Sequence, residues 1–226
     1  VKAVAKACKK YKIGLGLYYS LWDRKVNGDV KDWRKDDGYN KYMINQINEL
    51  IDIVDDYTDI VEFWFDGGWV KQNYRWPIMD IYQTIKRKMP DCQVGINWSI
   101  GDPGNVDKHP VLPHEQKEGY PIRYFPSDFR LGDPYTPSDD DPKIFVHDGK
   151  TYYMPWESTV CISKRWFYNT KDNQFKSVDE LEKLFRHCTK NDNILILNCP
   201  PDRDGKIRKK DVEILDSLYI RIKDEL

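Results

Sequence analysis

The chain has 226 residues, 40% hydrophobic and 32% charged, long enough to bury a sizeable core and too rich in apolar residues for disorder. Its 36 basic and 37 acidic residues leave a formal net charge of -1, so no field of one sign draws it to nucleic acid or to an anionic membrane. No apolar run approaches the roughly 20 residues that span a bilayer, and five cysteines (Cys8, Cys92, Cys161, Cys188, Cys199) without a Cys-x-x-Cys read as free thiols, not as a disulfide framework or zinc site.

In chain order, the sequence opens in a helical pattern with Val1, Val4, Ala5 and Cys8 on one face. A strand over Ile13–Tyr19 follows. A helix over about 39–57 carries Met43, Ile47, Leu50, Ile51 and Val54 at helical spacing. The β-rich run Ile60–Asp66 is a second strand, and a helix over Trp76–Lys88 stops before Pro90. Gln93–Trp98 is a third strand. Ile100–Lys150, rich in proline, glycine and aspartate, reads as one long loop, and long loops are usually functional. Tyr152–Trp156 is a fourth strand, Val178–Cys188 a helix and Ile194–Cys199 a fifth strand. The last helix starts near Lys209, with Val212, Leu215, Leu218, Tyr219 and Ile222 inward. Its end, Lys223-Asp-Glu-Leu226, matches an endoplasmic-reticulum retention signal in letters, but the same residues also continue the helix.

Strands alternating with helices predict an α/β fold with a parallel sheet. A full (β/α)8 barrel takes about 250 residues and eight strands. The expectation is therefore a single domain over 1–226 holding about five strands of the C-terminal portion of a TIM-type barrel, with 100–150 as its active-site loop. About three βα units are expected upstream of Val1, since the chain opens inside a helix and lacks an initiating Met.

Two strand ends carry carboxylates. Ile60-Val-Glu-Phe-Trp64-Phe-Asp66-Gly-Gly sets Asp66 at the C-terminal end of a strand, where barrel enzymes keep catalytic groups, and the glycines leave it uncrowded. Tyr152-Tyr-Met-Pro-Trp156-Glu157 reads as a second such strand. Glycoside hydrolysis needs two carboxyl groups, one to attack or activate water and one to protonate the departing oxygen. At this level Asp66 as a turn cap and Glu157 paired with Arg165 stay open as alternatives. Eight Trp and 15 Tyr suit either a large aromatic core or faces for stacking on sugars.

Four ordered segments resemble glycoside hydrolase family 29, the α-L-fucosidases: Gly14-Leu-Gly-Leu-Tyr18-Tyr-Ser-Leu-Trp22, Phe63-Trp64-Phe65-Asp66-Gly67, Trp156-Glu157-Ser-Thr-Val-Cys161 with Trp166-Phe-Tyr168, and Asn193-Ile-Leu-Ile-Leu-Asn198-Cys-Pro-Pro-Asp202-Arg-Asp-Gly205. The resemblance implies a retaining hydrolase that releases fucose from fucosylated glycans, without metal or redox cofactor. It makes Asp66 the nucleophile and Glu157 the acid/base, with Glu115 and Asp128 as competitors for that role. Tyr18, Trp64 and Trp166 are implied in the sugar pocket. Where many members carry an arginine after the third strand this chain has Ser99, and Arg130 is the substitute guanidinium proposed from the loop. The family's paired sugar-binding histidines are expected upstream of Val1, and none of His109, His114, His147 or His187 replaces them by motif. A periplasmic, secreted or lysosomal location is the corresponding expectation; the oligomeric state is not legible. A related glycosidase of other sugar specificity and a noncatalytic sugar-binding remnant are the rival readings.

Overall fold

A computed structural model describes residues 1–23, 37–70, 74–102 and 110–226. The chain divides into two compact units: Val1–Leu131 with Pro142–Met154, and Gly132–Asp141 with Pro155–Leu226. Both are mixed α/β.

In the first unit, helix α1 (Lys2–Tyr11) ends at Lys12, which takes the left-handed conformation (φ 56°), and leads into β1 (Leu15–Ser20). Helix α2 (Asp37–Asp55) returns the chain to β2 (Ile60–Asp66), and α3 (Ile78–Lys88) returns it to β3 (Gln93–Ile96). The three strands form one parallel sheet in the order β1-β2-β3, with Tyr18 beside Trp64 and Trp64 beside Gly95. Side chains alternate across a strand. One face presents Leu17, Phe63, Phe65, Val94 and Ile96, which pack with Met43, Ile47, Ile51 and Val54 of α2 and Ile81 and Ile85 of α3. Each such isoleucine, buried to about 1% exposure or less, contributes about 1.5–3 kcal/mol. Alternation sends Tyr18, Trp64, Asp66 and Asn97 to the opposite face.

The segment read as one long loop has structure of its own. A hairpin of β4 (Ile144–His147) and β5 (Lys150–Tyr153) closes through Asp148-Gly149, both at positive φ (47° and 73°), as a type I′ turn requires. Phe145, Met154, Ile100 and Ile122 make a small core beneath it. The fourth predicted strand, Tyr152–Trp156, is thereby corrected. Its first half belongs to the antiparallel hairpin, and Pro155 separates it from β6 (Glu157–Cys161).

In the second unit β6 pairs in parallel with β7 (Ile194–Asn198), Glu157 beside Ile194 and Cys161 beside Asn198. Helix α4 (Val178–Thr189) starts from a capping box: Ser177 Oγ accepts from the Glu180 N–H at 3.2 Å, and Glu180 accepts from the Ser177 N–H at 2.7 Å. Helix α5 (Lys209–Ile222) packs Ile214, Leu218 and Ile222 on Leu181, Phe185 and Ile162. Val212 and Tyr219, expected inward, are exposed. The face is turned because Asp211 is fully buried, gripped by Arg208 through two bonds of 2.7 and 2.9 Å. A charged residue at an inward position is invisible to apolar periodicity. No helix among the described residues is long and apolar enough to cross a membrane.

Candidate active site

Asp66 closes β2, and the chain then turns sharply. Gly67 sits at φ +78°, where a side chain is strained, and a Cβ on Gly68 would meet the Tyr124 hydroxyl at 2.8 Å, so the turn favours glycine at both positions. The turn is held by the Leu21 N–H donating to the Asp66 carbonyl at 2.7 Å. Both carboxylate oxygens of Asp66 are engaged. Tyr18 Oη donates to Oδ2 at 2.8 Å, and Asn97 Nδ2 donates to Oδ1 at 3.1 Å. Each oxygen keeps acceptor capacity for a further partner.

Tyr18 stacks on Trp64, with ring centroids 5.7 Å apart. Trp64 is itself largely covered by Phe129 and Leu131, while Tyr18 is 59% exposed. Phe129 reaches Trp64 because Gly95, the neighbour of Trp64 on β3, has no side chain to obstruct it. The turn after Asp66 presents Trp69, also exposed. Tyr124 stands against the same turn. Burial pushes its hydroxyl pKa up, the Arg123 guanidinium opposes this, and the Asp66 charge adds to it. The Tyr124 hydroxyl is buried without a hydrogen-bond partner among the described residues.

Of the predicted residues, Asp66, Tyr18 and Trp64 thus come together in the first unit. Arg130 lies in the same unit but does not present its guanidinium as a pocket cation would. It is 1% exposed; Nε donates to the Met154 carbonyl at 2.9 Å, Nη1 donates to Gln116 Oε1 at 3.0 Å, and the plane lies over Phe145. That placement ties the hairpin to the preceding loop. Ser99, where an arginine was expected, is fully buried and binds the Ile96 carbonyl and the Leu131 N–H, both at 2.8 Å.

Glu157 and Trp166 belong to the second unit. Glu157 is 2% exposed and, contrary to expectation, is the first residue of its strand, not the last. Its backbone neighbourhood is set by Asn193, whose Oδ1 accepts from the Trp156 N–H at 2.7 Å and whose Nδ2 donates to Asp141 at 2.7 Å. Trp166 is 37% exposed, and its carbonyl accepts from Asn198 Nδ2 at 2.9 Å.

The competing carboxylates differ sharply. Asp128 is committed to the fold by Tyr82 (2.7 Å), the Val94 N–H (2.8 Å) and Lys86 (2.9 Å). Glu115 is exposed on the 3₁₀ turn Pro113–Glu115, where it caps the Leu112 N–H at 3.3 Å.

Among the histidines, His147 stacks on Phe125, His187 contacts the Pro137 carbonyl and His114 is exposed. His109 lies outside the described residues. No group of three or more His, Cys, Asp or Glu side chains gathers as a metal site among the described residues.

Sequence reasoning did not single out Asn97 or Tyr124. Asn97 had a signal, a polar residue two positions beyond Gly95 on the Asp66 face. Tyr124, in an aperiodic loop, had none.

The sequence and the fold have parallels in known proteins. The family model for α-L-fucosidase matches residues 1–220. α-L-Fucosidase 1 of Arabidopsis thaliana is 25% identical over 227 residues, 96% of this chain and 40% of its own length. A rice relative is 28% identical over 225 residues, 95% of this chain and 39% of its own. The chain therefore spans about two fifths of the curated relatives it matches. A Ruminococcus gnavus family 29 fucosidase solved with fucose shares the fold at a TM-score of 0.66 and 19% identity, over 99% of this chain and 47% of that one. With the family's model covering nearly all of its length, the chain belongs to the α-L-fucosidase family.

Proposed function

We propose that this chain forms part of a TIM-type barrel that hydrolyses α-L-fucosides by double displacement, with fucosylated glycans as substrates and Asp66 as the nucleophile. The observation that carries the reading is the setting of Asp66: the C-terminal end of a parallel strand, on the face opposite the helices, with one donor on each oxygen. Family membership and relatives solved with fucose support the sugar. An Asp66 oxygen attacks the anomeric carbon as the bond to the departing oxygen breaks, and that oxygen takes a proton from a second carboxyl group. Water, deprotonated by the same group, then attacks the anomeric carbon. The ester to Asp66 breaks, and fucose leaves with its configuration retained. Tyr18 and Trp69 offer the open aromatic faces for the sugar's apolar edge.

The resemblance assigns the second carboxyl to Glu157, which in a retaining pair stands roughly 5–5.5 Å from the nucleophile. Strand direction favours Glu115 instead. Barrel chemistry gathers at C-terminal strand ends and the loops beyond them; Glu115 stands on the segment that follows β3, whereas Glu157 opens its strand.

Nuclear magnetic resonance of the first-formed product from an aryl α-L-fucoside tests the mechanism. The α anomer is expected, and the β anomer refutes double displacement. Cleavage of another aryl glycoside in preference to the fucoside refutes the sugar assignment, and calorimetric binding of fucose with no turnover refutes the enzyme. The donor is identified by whichever of Glu157→Gln and Glu115→Gln loses activity on poor leaving groups while sparing activated aryl fucosides.

A further inference from the structure

Asn97 is 3% exposed and lies one residue beyond the end of β3. Its backbone already has a structural task, since its N–H donates to the Phe65 carbonyl at 2.8 Å and so extends the β2–β3 ladder. The side chain does something else. Trp98 takes a positive φ of 62°, unusual for a bulky residue and of order 1–3 kcal/mol in strain. In that conformation the Trp98 N–H donates to Asn97 Oδ1 at 2.9 Å. The amide is then fixed in orientation. Reversing it would set its NH2 against the Trp98 N–H and its oxygen against the Asp66 carboxylate, two repulsions in place of two hydrogen bonds. Only one orientation is compatible with both neighbours, and it aims Nδ2 at Asp66 Oδ1.

We infer that Asn97 is a positioning residue for the nucleophile: the turn at Trp98 locks its amide, and the amide locks the Asp66 carboxylate plane from the side opposite Tyr18. The inference rests on the reading of Asp66 as nucleophile. Tyr18 alone leaves the carboxylate free to turn about its Cβ–Cγ bond, whereas a second donor on the other oxygen fixes the plane. Misplacement of reacting groups by about 1 Å can cost on the order of 100-fold in rate. Asn97 acts through the Asp66 carboxylate, so its effect is on the rate of attack and not on binding.

The test uses the full chain and a 2-deoxy-2-fluoro-L-fucosyl fluoride. This reagent transfers its sugar to the nucleophile with loss of fluoride and needs no proton donor, so the identity of the acid/base does not enter. Labelling is followed by mass spectrometry of peptides. In Asn97→Leu the labelling rate falls about 10- to 100-fold at every pH, with little change in the concentration that half-saturates labelling.

In Asn97→Asp the acceptor for the Trp98 N–H is kept but the donor toward Asp66 is lost. Labelling is slow at pH 7 and recovers toward the parental rate as pH falls. As pH falls, two carboxylates in contact take up one proton between them, and the protonated Asp side chain donates as the amide did. A role confined to holding the turn gives no such recovery.

Parental labelling rates in both variants, with Asp66 still the labelled residue, overturn the inference and leave the nucleophile intact. Slow labelling of Asn97→Asp that does not recover as pH falls, with the native circular dichroism spectrum retained, also overturns it. Absence of label, or label on another carboxylate, in the parental chain overturns the nucleophile assignment itself.

Discussion

Gly95 offers a sharp test of how the site is built, because the structure states what any side chain there would meet. A Cβ at this position falls 2.2, 2.3 and 2.9 Å from three ring carbons of Phe129. Ordinary carbon contacts are about 3.5–4.0 Å, so the ring must withdraw by more than about 1 Å. It cannot do so alone, since Phe129 is packed on Trp64 and Leu131, and Trp64 is stacked on Tyr18. Overpacking of this kind costs about 1–3 kcal/mol. Loss of glycine's freedom in the unfolded chain returns about 0.4–1 kcal/mol, leaving Gly95→Ala destabilised by about 2 kcal/mol at the upper end of the clash. In a Phe129→Ala background the obstacle is gone, and the same change becomes neutral or slightly stabilising. The coupling in this double-mutant cycle is then about 2–3 kcal/mol. Urea unfolding followed by tryptophan fluorescence measures all four proteins. Equal cost of Gly95→Ala in the two backgrounds refutes the reasoning.

Two further outcomes follow from the packing. Asp211→Ala leaves the Arg208 guanidinium without its bidentate carboxylate next to a buried helix start. Unfolding experiments should show a loss of about 3–5 kcal/mol, and a loss below 1 kcal/mol would show the pair to be incidental. Burial pushes the Cys92 thiol up to about 12. Only the thiolate reacts, so Cys92 resists Ellman's reagent in the native fold and reacts on unfolding. The linkage has a definite sign. Above the ordinary thiol value of about 9 the unfolded chain loses this proton while the folded chain keeps it, so Cys92 makes the protein less stable as pH rises. Rapid native labelling of Cys92 at pH 8 would contradict its burial.

The helices were legible because their apolar spacing coincides with tertiary burial: Met43, Ile47, Ile51 and Val54 face the sheet as their periodicity requires. The face of α5 was misread because Asp211, not an apolar residue, is the inward group at its start. The β4–β5 hairpin had a readable signal in Asp148-Gly149, overshadowed by the proline-rich surroundings. In the site, Asp66, Tyr18 and Trp64 could be read as a group because each sits on a strand with a strong local pattern. Asn97 could not be assigned its contact, since that depends on β2 and β3 being neighbours in register and on the backbone of Trp98. Arg130 looked like a pocket cation in sequence, and only the packing of Met154, Gln116 and Phe145 around it shows where its guanidinium goes.

The central claim is that Asp66 attacks the sugar. Asp66→Gly removes the carboxylate and leaves space at the turn for a small anion. The account predicts that this variant is inactive on an aryl α-L-fucoside, and that azide restores turnover, giving the β-L-fucosyl azide by a single displacement. Parental turnover by Asp66→Gly in the absence of azide would contradict it.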